Sequence, residues 1–236
     1  MTRYRSPFLP ALLLTWAWVM PLGAFQPAAP DWVAVVGTYP ALDTPASRRE
    51  LAFMHRLQAT RTPRDVARAE AGSRPDLGYF LDALGSPLDP EGMPGTVALL
   101  RQARRDLKPV VAQLKADFAR PRPYTVDATL DPALPTDGSF SFPSKHAALG
   151  VLYGSLLSLL DPPDRDALMR EGRRIGDDRV MAGLHWPSDD VAGQRLGQAF
   201  ATWWLALPEN TRMLQDAAGE WAQAPGSSRP GARGPG

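Results

Sequence analysis

The chain contains no cysteine and only three histidines among its 236 residues. Disulfides are therefore excluded, and so is thiolate chemistry at a nucleophile or a metal. Long apolar runs are almost as scarce. One runs from Phe8 to Val19, preceded by Arg3 and Arg5 and followed by the small residues Gly23-Ala24. Pro10 and Pro21 bracket a stretch too short to span a bilayer comfortably, so residues 1–24 read as a secretory signal peptide. No later segment is apolar enough to cross a membrane. The expected protein is periplasmic or secreted, with no stable membrane insertion after signal removal. An excess of positive charge is also missing. Without Arg3 and Arg5 of the signal and Arg229 and Arg233 of the tail, the 26 basic residues fall below the 25 acidic ones. A mildly acidic body argues against nucleic-acid binding and makes any gathering of cations a local feature.

Strand-like alternation and internal repeats are absent as well, and the 44% hydrophobic content is arranged with helical periodicity. This predicts one all-α domain, a helical bundle around a buried central helix. Residues 25–46, rich in Pro and Ala, read as an extended lead-in, and the domain proper is expected over residues 47–223. Ser47 is the expected cap of a helix to about Gln58. Thr62-Pro63 marks an N-cap followed by proline at the first helical position. A short helix is expected over Leu77–Leu84, ending at Gly85. A long amphipathic one follows from about Thr96 to Ala119, with Pro109 inside it. Residues 124–142 form a loop long enough to suggest function. Ala147–Leu160 is apolar nearly all round and reads as the central helix. Further helices are expected near residues 164–178, 188–205 (with Ser188 as cap) and 209–222, before a disordered Pro/Gly-rich tail, 224–236.

Three clusters carry chemistry. Lys115 and Arg122 are seven residues apart, about two helical turns, with Pro121 and Pro123 ending the helix between and beyond them. Arg120 and Arg105 read as solvated helix-end charges. Pro143-Ser144-Lys145-His146 stands directly before the central helix, where unpaired backbone N–H groups attract anions and the Ser144 hydroxyl adds a donor. Arg179, His185 and Asp189 form the third cluster. Asp189, four residues beyond His185, is placed to accept from one ring nitrogen, which fixes the tautomer and leaves the other as a nucleophile. Each cluster alone has a structural explanation. Together they can bind a phosphoryl group, attack it and protonate its leaving group without a metal. No His/carboxylate set has metal-ligand spacing, so no metal or other cofactor is expected. His55 and the tryptophans Trp186, Trp203 and Trp204 read as structural.

The ordered pattern Lys-x6-Arg-Pro, Pro-Ser-x-His, Arg-x5-His-x3-Asp resembles the type 2 phosphatidic acid phosphatase and vanadium haloperoxidase superfamily. Within it the chain is most similar to the bacterial class A non-specific acid phosphatases, over roughly residues 40–205. Pro40-Ala41-Leu42-Asp43-Thr44-Pro45, Gly85-Ser86-Pro87 and Gly183-Leu184-His185-Trp186-Pro187-Ser188-Asp189 share in the likeness. The resemblance implies a metal-independent acid phosphatase of broad specificity for small phosphate monoesters. Lys115, Arg122 and Arg179 would hold the phosphate, helped by Ser144 and the backbone N–H of Lys145. His185 would form a phosphohistidine, oriented by Asp189, and His146 would protonate the leaving alcohol.

Two positions depart from the family pattern. Lys145 stands where glycine is usual, and a positive φ there would cost a lysine about 1–2 kcal/mol. Asp178 replaces the usual serine before Arg179 and is expected to face away from the site. A vanadate-dependent haloperoxidase, a membrane-lipid phosphatase and a non-catalytic phosphate-binding relative are the rival readings. Self-association into a homo-oligomer is left open.

Overall fold

The computed structural model describes residues 27–224, so the signal-peptide reading and all but the first residue of the proposed tail lie outside the described residues. Ten α-helices account for the regular structure among the described residues, joined by two single-turn 3₁₀ segments and no strands. They are α1 (Trp32–Val36), α2 (Pro45–Thr60), α3 (Pro63–Ala71), α4 (Leu77–Leu84) and α5 (Pro94–Phe118). After these come α6 (Pro123–Val126), α7 (Lys145–Leu160), α8 (Arg165–Met181), α9 (Pro187–Leu205) and α10 (Pro208–Gln223). The all-α class is as the sequence predicts. No helix among the described residues is long and apolar enough to cross a membrane.

Local chemistry sets most boundaries. Thr62 and Asp65 form a reciprocal capping box at the start of α3, with Pro63 at its first position. Gly85 ends α4 in the left-handed conformation. Three expectations need correction. The lead-in is not extended throughout: the Asp31 carboxylate accepts from the backbone N–H groups of Val33 and Ala34 and starts α1. Trp32 then anchors that helix against Phe200 and Trp203. Helix α2 begins two residues before Ser47, because Thr44 accepts from the Ser47 N–H and Pro45 follows it. Helix α9 begins at Pro187, and the Asp189 carboxylate, not Ser188, binds the orphan N–H of Trp186.

The core is organised around α7, which is buried without interruption from Ala147 to Ser158. It packs chiefly against α8 and α9. These contacts are made backbone to backbone. A Cβ on Gly150 of α7 would collide with the Gly172 carbonyl of α8, and one on Gly193 of α9 with the Ser144 carbonyl. Close approach on both sides holds the first two turns of α7 against the middle of α8 and the start of α9. The Ser144 N–H seals this corner by donating to the Asp189 carbonyl at 3.0 Å. All three chemical clusters therefore arrive at one end of the bundle.

Candidate active site

Helix α5 delivers the first cluster. Ala119, at φ 44°, takes the left-handed conformation that terminates α5, and Arg122, in extended conformation, leads into α6. Arg120 and Arg122 thereby grip the same histidine–carboxylate pair from its two ends. His185 Nδ1 lies 3.1 Å from Asp189 Oδ2, and Arg122 Nη1 lies 2.7 Å from His185 Nε2. An arginine can only donate, so Nε2 is an acceptor and the ring proton is on Nδ1, directed at Asp189. That is the tautomer nucleophilic attack requires.

Asp189 is fully buried and its carboxylate is saturated. Oδ2 accepts from His185, the Ser141 hydroxyl and the Trp186 N–H, and Oδ1 accepts from Arg120 at 2.6 Å. Burial opposes its charge, but the His185 hydrogen bond, Arg120 and Ser141 outweigh it and hold the pKa below the usual carboxylate range. Burial pushes His185 down to about 3, with Asp189 opposing and the Arg122 charge adding to the depression. The imidazole is thus neutral across physiological pH.

Arg120 corrects the reading of a solvated charge: it is 0% exposed. Its guanidinium binds Asp189, Glu50 and Ser188 and lies over the rings of Tyr39 and Trp186, with centroids 4.4 and 4.7 Å away. Ala119, left-handed just ahead of Pro121, carries Arg120 inward, and Pro121 was the only sequence signal that the helix stops there. Arg105, read the same way, is exposed on α5.

His185 opens on a cavity of about 490 Å³ that also receives Lys115, Arg122, Lys145, His146 and Arg179. Lys115 extends from the last turn of α5 to the carbonyls of Phe140 and Ser141. Burial drives its pKa down to about 7, and Arg122 reinforces the shift. Arg179 ends α8 with its guanidinium held by the Ser73 hydroxyl at 3.0 Å and by the Ala69 carbonyl. His146 Nε2 donates to the Ser73 carbonyl at 3.2 Å, and burial followed by the Arg179 charge lowers its pKa to about 3. Ser73 therefore positions two groups of the site, and no motif pointed to it.

Ser144 and Asp189 stand behind the cavity wall. The Ser144 hydroxyl is fully buried and caps α7, accepting from the Ala147 N–H at 3.3 Å. Lys145 is the first residue of α7, and the only non-glycine residues with positive φ among those described are Asp43 and Ala119. The strain cost of a lysine at this position does not arise. Asp178 points away from the cavity and forms a bidentate pair with Arg68 at 2.8–3.2 Å. A further participant is Asp137, from the loop before α7. Its carboxylate accepts from Arg122 at 2.8 Å, and Arg122 also binds Ser139 and the Leu184 carbonyl. His55 lies elsewhere, paired with Asp127 at 2.9 Å. Among the described residues no group of three or more His, Cys, Asp or Glu could hold a metal ion.

Comparison with known proteins bears on this arrangement. Residues 107–213, which contain all three clusters, match the PAP2 superfamily model. A non-specific acid phosphatase of Providencia stuartii is 28% identical over 151 residues, covering 61% of this chain and 60% of that protein. One from Salmonella typhi is 31% identical over 125 residues, covering 50% and 49%. The chain thus matches between about half and three-fifths of the length of these two relatives. A transmembrane PAP2-type phosphatidylglycerolphosphate phosphatase from Bacillus subtilis shares the fold, with a TM-score of 0.52 at 17% identity, over 77% of this chain and 92% of that one. The chain is thus similar in sequence to bacterial non-specific acid phosphatases, and its three clusters lie within the PAP2 match.

The two arginines that sequence reading treated alike should now separate. Arg120→Met leaves Asp189 buried without its cation and is expected to cost about 3–5 kcal/mol in urea unfolding. Arg120→Lys should not restore the loss, since a point charge cannot fork to three acceptors while stacking on two rings. Arg105→Met should stay within about 0.5 kcal/mol.

Proposed function

For a chain whose residues 107–213 carry a PAP2 superfamily domain, we propose a secreted, metal-independent acid phosphatase that hydrolyses phosphate monoesters through a phosphohistidine. One observation carries the reading: His185 presents an unprotonated Nε2 to a cation-lined cavity while Asp189 holds its other nitrogen at 3.1 Å. Phosphoryl transfer needs chiefly positioning and charge stabilisation, and fixed cations supply both.

In this mechanism the phosphate enters between Lys115, Arg122 and Arg179, with the Lys145 N–H at the start of α7 as a further donor. Ser144, behind the wall, shapes that turn and does not touch the anion. It displaces Asp137 from Arg122, exchanging one anion for another on the same guanidinium, and draws Arg122 Nη1 off His185 Nε2, which frees the lone pair for attack. His185 Nε2 forms a bond to phosphorus as the ester P–O bond breaks, and the departing oxygen takes a proton from His146. The imidazolium generated at His185 is stabilised by Asp189. His146, now neutral, removes a proton from water, whose oxygen attacks phosphorus. The N–P bond breaks, its electron pair returns to Nε2, and inorganic phosphate leaves.

The acid preference has two sources. His146 is neutral in the unliganded protein, its pKa pushed to about 3 by burial and Arg179. An anion bound beside it raises that value, so the proton for the leaving group is acquired together with the substrate. Lys115 has a pKa of about 7, so its charge is present below that pH and lost above it. Binding of an anion to the free protein therefore weakens as pH rises through 7.

Hydrolysis of p-nitrophenyl phosphate by the purified chain at about pH 5–7 tests the proposal. Turnover should survive EDTA and fall at least about a thousand-fold in His185→Ala. Loss of activity with chelator, or full activity in the variant, would overturn it. The pH profile of kcat/KM should show a descending limb near pH 7 that moves upward in Lys115→Arg, because arginine keeps its charge. An unmoved limb would remove Lys115 as its origin.

A further inference from the structure

Three more cations line the cavity outside the group assigned to the reacting phosphate: Arg74, Lys108 and the Lys145 ammonium. All three are exposed, and an exposed cation on a helical surface is ordinarily just solvated. Their convergence on one concavity is what distinguishes them. None has an ion-pair partner among the described residues. The one carboxylate lining the cavity, Asp137, is already bound to Arg122. They come from three separate parts of the chain: the segment after α3, the middle of α5 and the start of α7. On a body that is otherwise mildly acidic, such a concentration has a cost in mutual repulsion. The cavity wall partly desolvates the Lys145 ammonium and lowers its pKa, Asp137 opposes the shift, and the charges of Arg104, Arg122 and Lys108 add to it.

The register of α5 fixes where this second charge lies. Lys108 and Lys115 are two turns apart on one face, and Val111 and Ala112 line the cavity between them. Seven residues of helix separate the two ammonium stems by roughly 10 Å along the axis. An inner anion held at Lys115, Arg122 and His185 thus leaves room for an outer one at Lys108, Arg74 and Lys145.

Resting on the phosphatase reading, we propose that Arg74, Lys108 and Lys145 form a second anion subsite that favours bisphosphorylated small molecules. The leaving group of such a substrate carries its own phosphate roughly 10 Å from the one that reacts. The subsite acts on recognition and not on the chemical step, so its contribution belongs in KM. It also accounts for a lysine at position 145: its backbone N–H remains at the inner site while its side chain serves the outer one.

Fructose 1,6-bisphosphate and fructose 6-phosphate form a matched pair of probes, with pyrophosphate as a diphosphate too short to reach both sites. The full chain should show at least about tenfold higher kcat/KM on the bisphosphate at low salt, carried by KM and reduced by added salt. Lys108→Ala combined with Arg74→Ala should erase that preference, Lys108→Arg should keep it, and pyrophosphate should gain nothing from the two cations. Equal handling of the two sugars, or a preference the double variant does not change, would overturn the proposal. Calorimetric binding of both sugars to His185→Ala separates this result from the phosphatase reading. Tighter bisphosphate binding there, with no turnover by the unaltered chain, would sustain the subsite and sink the reaction. Turnover with no discrimination in binding would do the reverse.

Discussion

The buried carboxylate of Asp189 is the point on which the arrangement turns. A bare carboxylate at 0% exposure would be prohibitively costly, and this one is made tolerable by Arg120, Ser141, His185 and the Trp186 N–H. Each partner also does something structural. The Trp186 N–H bond starts α9, Arg120 ties the exit of α5 to Glu50 on α2, and Ser141 fixes the loop before α7. The backbone carbonyl of Asp189 receives the Ser144 N–H at the start of α7. One residue therefore joins four parts of the chain, and the orientation of His185 is a by-product of that junction. The glycine-mediated contacts of α7 with α8 and α9 keep the junction rigid, which suits chemistry that depends on position.

The cavity in front of His185 gathers cations around a single carboxylate. Asp137 sits on Arg122 as a carboxylate stand-in for phosphate, and Ser139 hydrogen bonds and the Arg122 charge overcome its burial to hold it at about pKa 2. Lys115, Arg179 and His146 are each pushed toward their neutral forms, first by burial. All three shifts would reverse on binding a phosphate. With a phosphate bound as proposed, anion binding and proton uptake are linked, which is the physical basis of the proposed acid preference.

Much of this was legible in the sequence because local chemistry determined it. Thr62-Pro63, Gly85 and the apolar run after His146 announce α3, the end of α4 and α7 through capping and periodicity alone. The ordered motifs brought Lys115, Arg122, His146, Arg179, His185 and Asp189 to one end of the bundle. What escaped was set by tertiary contacts. Helix α1 exists because Trp32 finds Phe200 and Trp203, partners about 170 residues away. Arg120 looked like a solvated helix end because periodicity cannot foresee that Ala119 turns left-handed and drives the next side chain inward. Ser73 and Asp137 lie in segments whose composition suggests only turns, and their roles depend on which arginine each meets.

In the proposed reaction, Asp189 and Arg122 prepare His185 Nε2 to take the phosphoryl group. Acid-free quenching of the chain during turnover of p-nitrophenyl phosphate, followed by peptide mass spectrometry, tests it most directly. A phosphoryl group on the peptide containing His185, accumulating in His146→Ala and absent in His185→Ala, is the predicted result. Active protein with no phosphorylated histidine at any time point, in either the unaltered chain or His146→Ala, would contradict it and point to direct attack by water.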